Sequence, residues 1–144
     1  MNTFARGMAM RGLGIVYAAL QMRVGLHRLG SGIKFGNVTA DGKTEDEALT
    51  AKMRAGGNMQ EYVPFGLVLM LLMETATPMP KKAVAAYGAV LALSRLSAAY
   101  GLSNTFTPGF NAGPPRKYGF LGTVGALIAA GAYLSIHALK TLGK

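Results

Sequence analysis

The chain has 144 residues, enough for one domain, with 51% hydrophobic residues, only 15% charged ones and no cysteine. Fifteen Lys and Arg against six acids give a net charge of +9, yet the charges flank apolar blocks instead of forming one basic face, which argues against a nucleic-acid binder. Without cysteine there is no disulfide framework and no thiol nucleophile, and the two widely spaced histidines, His27 and His137, exclude a metal site of ordinary spacing. Four apolar blocks in so short a chain predict an all-α, integral membrane four-helix bundle, one domain over 1–144.

The first block predicts a helix over 8–29. Arg11 and the apolar run that follows resemble the start of a signal peptide, but no small-residue cleavage site follows, so an uncleaved span is expected. Arg28 reaches the interface by snorkelling, whereas Arg23 lies deeper and is open to two readings, snorkelling or an anion contact. Gly30, Gly32, Gly36, Asn37, Asp41 and Gly42 make the next stretch the longest polar connection. Its acids lack the alternation of a calcium loop, and Thr44-Glu-Asp-Glu47 reads as the N-cap and acidic first turn of the second helix, 47–74.

That second helix carries the densest polar signal. Arg54, Asn58 and Glu61 stand four and three residues apart, with Tyr62 four beyond Asn58, so they form one stripe on a helix. The stripe runs into an otherwise apolar segment, 59–73, where a lone carboxylate costs roughly 2.5–3.5 kcal/mol on insertion scales. Glu61 is therefore expected to face protein or water with a partner. Pro64, one turn on, removes a backbone donor and predicts a kink.

Pro78 and Pro80 predict a tight turn into the third helix, 82–103, which brings the second and third helices together as a hairpin. Arg95 lies between leucines with no acid nearby in sequence; Glu61 across the hairpin is its expected partner, with Arg54 close by. Prolines 108, 114 and 115 mark a loop over 103–117 that contains Arg116. The fourth helix, 117–142, presents Gly122, Ala126 and Ala130 at four-residue intervals, a pattern that lets helices approach closely. Basic residues slightly favour the side of the two long loops, which the positive-inside rule places in the cytoplasm.

The Arg-x-x-x-Asn-x-x-Glu-Tyr-x-Pro pattern from Arg54 to Pro64 resembles the signature of the MAPEG family, membrane-associated proteins of eicosanoid and glutathione metabolism. Ser94-Arg-Leu-Ser-Ala-Ala-Tyr-Gly-Leu102 resembles the third-helix segment of its short bacterial-type members, and the likeness runs from about Tyr17 to Leu142. The resemblance implies a transferase or peroxidase that uses glutathione as co-substrate and acts on lipophilic electrophiles dissolved among membrane lipids. It also implies a homotrimer with the site between neighbouring subunits. It assigns glutathione binding to Arg54, Asn58, Glu61, Tyr62 and Arg95, with Tyr100 as a further candidate and either Arg23 or Arg28 as the first-helix arginine. Arg116 is the match for the arginine that activates the thiol. Three residues past Arg95, where relatives carry Tyr or His, this chain has Ala98. That departure leaves a second class open: a non-catalytic lipid-binding or structural subunit of a larger membrane assembly.

Glutathione itself explains why such residue types belong together. Its two carboxylates suit the planar fork of arginine, and its ammonium suits a carboxylate. A guanidinium near the sulfur favours the thiolate.

Overall fold

Each of the four apolar blocks forms a helix in the computed structural model, which describes residues 3–39 and 41–143. The helices are α1 (Thr3–Ser31), α2 (Glu47–Thr75), α3 (Lys81–Ser103) and α4 (Gly113–Leu142). Among the described residues no strand forms; a single antiparallel bridge, Val38 to Glu45, closes the α1–α2 loop. Pro64 lies inside an unbroken α2, beside a small apolar cleft of about 180 Å³ bordered by Leu13, Tyr17 and Leu67.

Helix starts depart from expectation at α1, which begins at Thr3 and not near residue 8, and at α4, while α2 starts where expected under a different cap. Asp46, not Thr44, caps α2: its Oδ1 accepts the Leu49 N–H at 2.8 Å, satisfying one of the orphan donors of the first turn. Thr44 is used within the loop, where its carbonyl accepts the Thr39 N–H at 2.8 Å. The fourth helix begins four residues earlier than the sequence predicts, because Pro114 and Pro115 sit in its first turn. There a missing N–H costs nothing and the fixed φ is already helical, so the prolines open the helix instead of prolonging the loop.

The bundle is sewn by small residues and two apolar clusters. Leu13, Leu20, Ala55, Met59 and Ala99 join α1, α2 and α3; Leu69, Met70, Met73, Val84 and Ala130 join α2, α3 and α4. The expected small-residue stripe of α4 faces inward at Ala126 and Ala130, and Gly119 extends it. A Cβ at Gly119 would stand 2.6 Å from the Ala98 nitrogen and 2.7 Å from the Ser94 carbonyl oxygen, so only glycine lets α4 lie this close to the α3 backbone.

α3 and α4 are each long and apolar enough to cross a membrane, by length and composition. Their outward faces are apolar as well: Leu93 is 67% exposed and Ile128 66%, beside exposed Val90, Leu121 and Ile136. A continuous greasy surface of this kind is suited to lipid or to another copy of the chain, not to water.

At the other end of α1, His27 Nε2 meets Asp46 Oδ2 at 2.7 Å and the Lys52 Nζ meets His27 Nδ1 at 2.5 Å. The imidazole thus bridges the carboxylate and the ammonium. The hydrogen bond from His27, and then that from the Leu49 N–H, hold the Asp46 carboxyl below the usual carboxylate range. A folded-state pKa below the unfolded one adds stability above the unfolded value, and that stability is lost as pH falls through the folded one. Asp46→Asn keeps a capping oxygen but removes the charge. It is expected to melt at lower temperature than the parent at neutral pH, with the gap closing as pH drops below about 4; detergent melts across pH check this, and a gap constant with pH would contradict it.

Candidate functional site

The polar stripe of α2 lines a groove. Arg54, Asn58 and Glu61 border a cavity of about 550 Å³ between α2 and the end of α3, closed on the far side by Arg116 from the first turn of α4. Thr105 and Phe106, just past α3, complete its rim. Gly57 holds part of the floor open, since nothing lies within 4 Å of where its Cβ would stand.

Arg116 is placed by α3. Its stem lies across Gly101, where a Cβ would come 2.8 Å from Arg116 Cγ and 3.1 Å from Pro115 Cγ. Ser97 Oγ donates to the Pro115 carbonyl at 2.9 Å, fixing the same turn from below. The guanidinium of Arg116 is thus set by a close helix–helix approach and not by a loop. The sequence reading of Pro115 as a loop residue hid this, because only the meeting of Gly101 and Pro115 in three dimensions reveals it.

Arg95 does not pair with Glu61. It is 1% exposed, and its Nη1 donates to Asn58 Oδ1 at 2.7 Å while Nη2 donates to the Gly119 carbonyl at 2.9 Å. The Tyr62 ring covers it, 4.7 Å from the guanidinium carbon to the ring centroid. Arg95 and Tyr62 therefore form the support behind the groove and do not line it. The physical reason for the difference is reach. Asn58, one turn before Glu61, occupies the position across from Arg95, and a backbone carbonyl supplies the second acceptor.

This support has a consequence for Asn58. With its carbonyl oxygen engaged by Arg95, the amide NH₂ is the end left for the groove, so Asn58 presents a donor there.

The remaining expected site residues lie elsewhere. Arg23 donates to Ser103 Oγ at 3.3 Å, and Arg28 to the Gly36 carbonyl at 3.1 Å and to Met53 Sδ at 3.5 Å; neither lines the groove. Tyr100 is exposed and packs edge-on against Phe110, ring centroids 5.3 Å apart. Thr50 and Met53, which do line the groove, extend the α2 stripe toward its N-terminus: Thr50 is four residues before Arg54, a spacing visible in the sequence. Thr105 and Phe106 carried no comparable signal.

Among the described residues the side chains of Arg54, Glu61 and Arg116 have neither an ion pair nor a hydrogen bond. Two free guanidiniums, an amide donor and one free carboxylate around a single open groove suit a ligand with more than one anionic group and one cationic group. The buried charge of Arg95 adds to the positive side of that balance.

The free state of Glu61 and the engaged state of Asn58 reverse their expected weights in folding. Asn58→Leu leaves the buried Arg95 Nη1 without its acceptor, and a hydrogen bond to a charged group is worth about 1.5–3 kcal/mol. Glu61→Gln is expected to change stability by no more than about 0.5 kcal/mol, as for an unpaired exposed site. Thermal melts of the two variants in one detergent check this, and equal losses would contradict it.

A family model described as the MAPEG family matches residues 7–136. No curated protein and no solved structure gives a match.

Proposed function

From the premise that this chain belongs to the MAPEG family, we propose that it is a glutathione-dependent transferase or peroxidase acting on lipophilic electrophiles in a membrane that all four helices cross. The observation that carries this reading is the groove in which Arg54, Glu61 and Arg116 converge with their charges unspent around the Asn58 amide. Glutathione has two carboxylates, an ammonium, peptide groups and a thiol. Arg54 takes a carboxylate, Glu61 the ammonium and the Asn58 amide a peptide carbonyl. Arg116 lies at the thiol and lowers its pKa by favouring the thiolate. In the transfer reaction the thiol proton leaves to solvent, sulfur bonds to the electrophilic carbon, and the leaving group departs with the electrons of the broken bond.

A second reading has one observation in its favour. Ala98 puts only a methyl group where the family resemblance implies a Tyr or His, so the position offers no hydroxyl or imidazole, which suits a lipid-binding member without turnover. Titration separates the two. Detergent-solubilised protein titrated with glutathione at pH 7 is expected to show saturable thiolate absorbance together with binding heat. Arg116→Ala should lose the thiolate signal and keep most of the heat. Arg54→Ala and Glu61→Gln should each weaken binding by about tenfold, the loss of one charge-assisted contact. Absence of both signals from the parent protein would leave the lipid-binding reading in place.

We also propose a homotrimer. The apolar outer faces of α3 and α4 offer surface for neighbouring copies, and neither Arg23 nor Arg28 reaches the groove of its own chain. Native mass spectrometry in mild detergent is expected to show three chains per particle; a monomer would overturn this.

A further inference from the structure

Beyond Arg116 the groove opens into a second space. A cavity of about 390 Å³ shares Asn58, Leu102 and Arg116 with the groove, and is otherwise bounded by Ala98, Phe120 and Lys117 with Gly113. Its character differs from the groove's. Glu61 and Arg54 are absent from its wall, Phe120 and Leu102 give it apolar sides, and Lys117 supplies a cation distinct from Arg116. Lys117 has no ion pair or hydrogen bond through its side chain among the described residues.

Three features of α3 and α4 create the space. Gly119 draws α4 onto α3 at Ala98, so the two backbones meet directly and no large side chain separates them there. Ala98, itself 4% exposed, then contributes only a methyl group to the wall. Phe120, next to Gly119 on α4 and about half exposed, forms another side. A larger residue at position 98, which already lines the cavity, would project into it.

We propose that this chamber holds the acceptor, an electrophile with a flat or aliphatic apolar body and one anionic group, with Ala98 setting the bulk it admits and Lys117 selecting its negative charge. The assignment rests on the glutathione reading for the direction of attack, since Arg116 stands in the wall common to groove and chamber. A thiolate held at Arg116 from the groove side bonds to the electrophilic carbon in the chamber. The leaving group takes the electron pair of the broken bond, and the thiol proton has already passed to solvent. Lys117 touches the acceptor's anion and takes no part in the bond changes.

Two probes isolate the chamber from the reaction. 3,5-Dinitrobenzoate and 1,3-dinitrobenzene share a ring and two nitro groups and differ by one carboxylate, and neither carries a halide to displace. Equilibrium dialysis against the detergent-solubilised full chain is expected to show the benzoate bound about fivefold more tightly, the size of one partly solvated charge contact. With glutathione saturating, so that its thiolate occupies Arg116, Lys117→Gln should remove that preference and leave the neutral probe unchanged, and micelle partitioning cancels between variants. Ala98→Leu should weaken both probes and Ala98→Ser neither. If Ala98→Leu fails to fold, Phe120→Ala, at a half-exposed position, should weaken both instead. Saturating glutathione should leave the probe bound. Equal affinities in the parent, a preference that survives Lys117→Gln, or displacement of the benzoate by glutathione would each overturn the chamber assignment. Benzoate preference with no glutathione heat would instead overturn the glutathione reading while the anion-selective chamber stood.

Discussion

A guanidinium closed off from solvent must find acceptors or it destabilises the fold that buries it. Arg95 finds one on α2, the Asn58 amide oxygen, and one on α4, the Gly119 carbonyl, while the Tyr62 ring lies over its face. Three helices are thereby bound to one side chain. The Gly119 carbonyl also accepts from Thr123 Oγ1 at 2.8 Å, so the same oxygen serves a helix of its own and a neighbour. None of these partners is an anion. The positive charge is solvated by dipoles and a π face but not neutralised, and it lies directly behind Asn58. The groove in front inherits a field that favours anions before Arg54 and Arg116 are counted.

That arrangement explains how α2 divides its labour. The stripe of Arg54, Asn58, Glu61 and Tyr62 is one feature in sequence, yet its members face two ways. Asn58 and Tyr62, four apart, turn toward Arg95; Arg54 and Glu61, seven apart, stay on the rim. A Glu61–Arg95 ion pair would have spent both charges on packing. The Asn58 amide frees Glu61 for a ligand, at the expense of leaving Arg95 without a counter-charge and its Nε without a partner.

Much of the fold was legible because hydropathy blocks and turn formers act locally. The starts of α2 and α3 fall within one residue of expectation, since an acid-rich turn and the proline pair Pro78 and Pro80 punctuate them unambiguously. The errors arose where one residue type has two local uses. Pro114 and Pro115 read as loop residues and act as the first turn of α4. Thr44 reads as a cap, but Asp46 does that work because His27 and the Leu49 N–H both reach it. At the site, the periodicity that gathers Arg54, Asn58 and Glu61 was visible, and the choice of Arg95's partner was not. Charge complementarity suggested the only nearby carboxylate, whereas a packed interior allows an amide and a backbone carbonyl to serve equally. Glycines 101 and 119 carry no distinguishing mark in the sequence, and only tertiary contact shows that one seats Arg116 and the other accepts from Arg95.

The face that α3 turns to α4 shows how packing and site geometry are a single constraint. Ser94, Ala98 and Gly101 stand four and three apart, and each meets the start of α4: Ser94 at Gly119 and Gly122, Ala98 at Gly119, Gly101 at Pro115 and Arg116. Small side chains on both helices bring the backbones together, and this closeness carries the Gly119 carbonyl within reach of Arg95 and lays Arg116 across the groove. A large residue at 98 could not be absorbed by a shift of α4 without also moving the acceptor of the buried guanidinium. It would have to extend sideways, into the cavity between Phe120 and Lys117. Ala98 is therefore coupled to the support of the whole bundle as well as to the space beside Arg116, and one small side chain serves both.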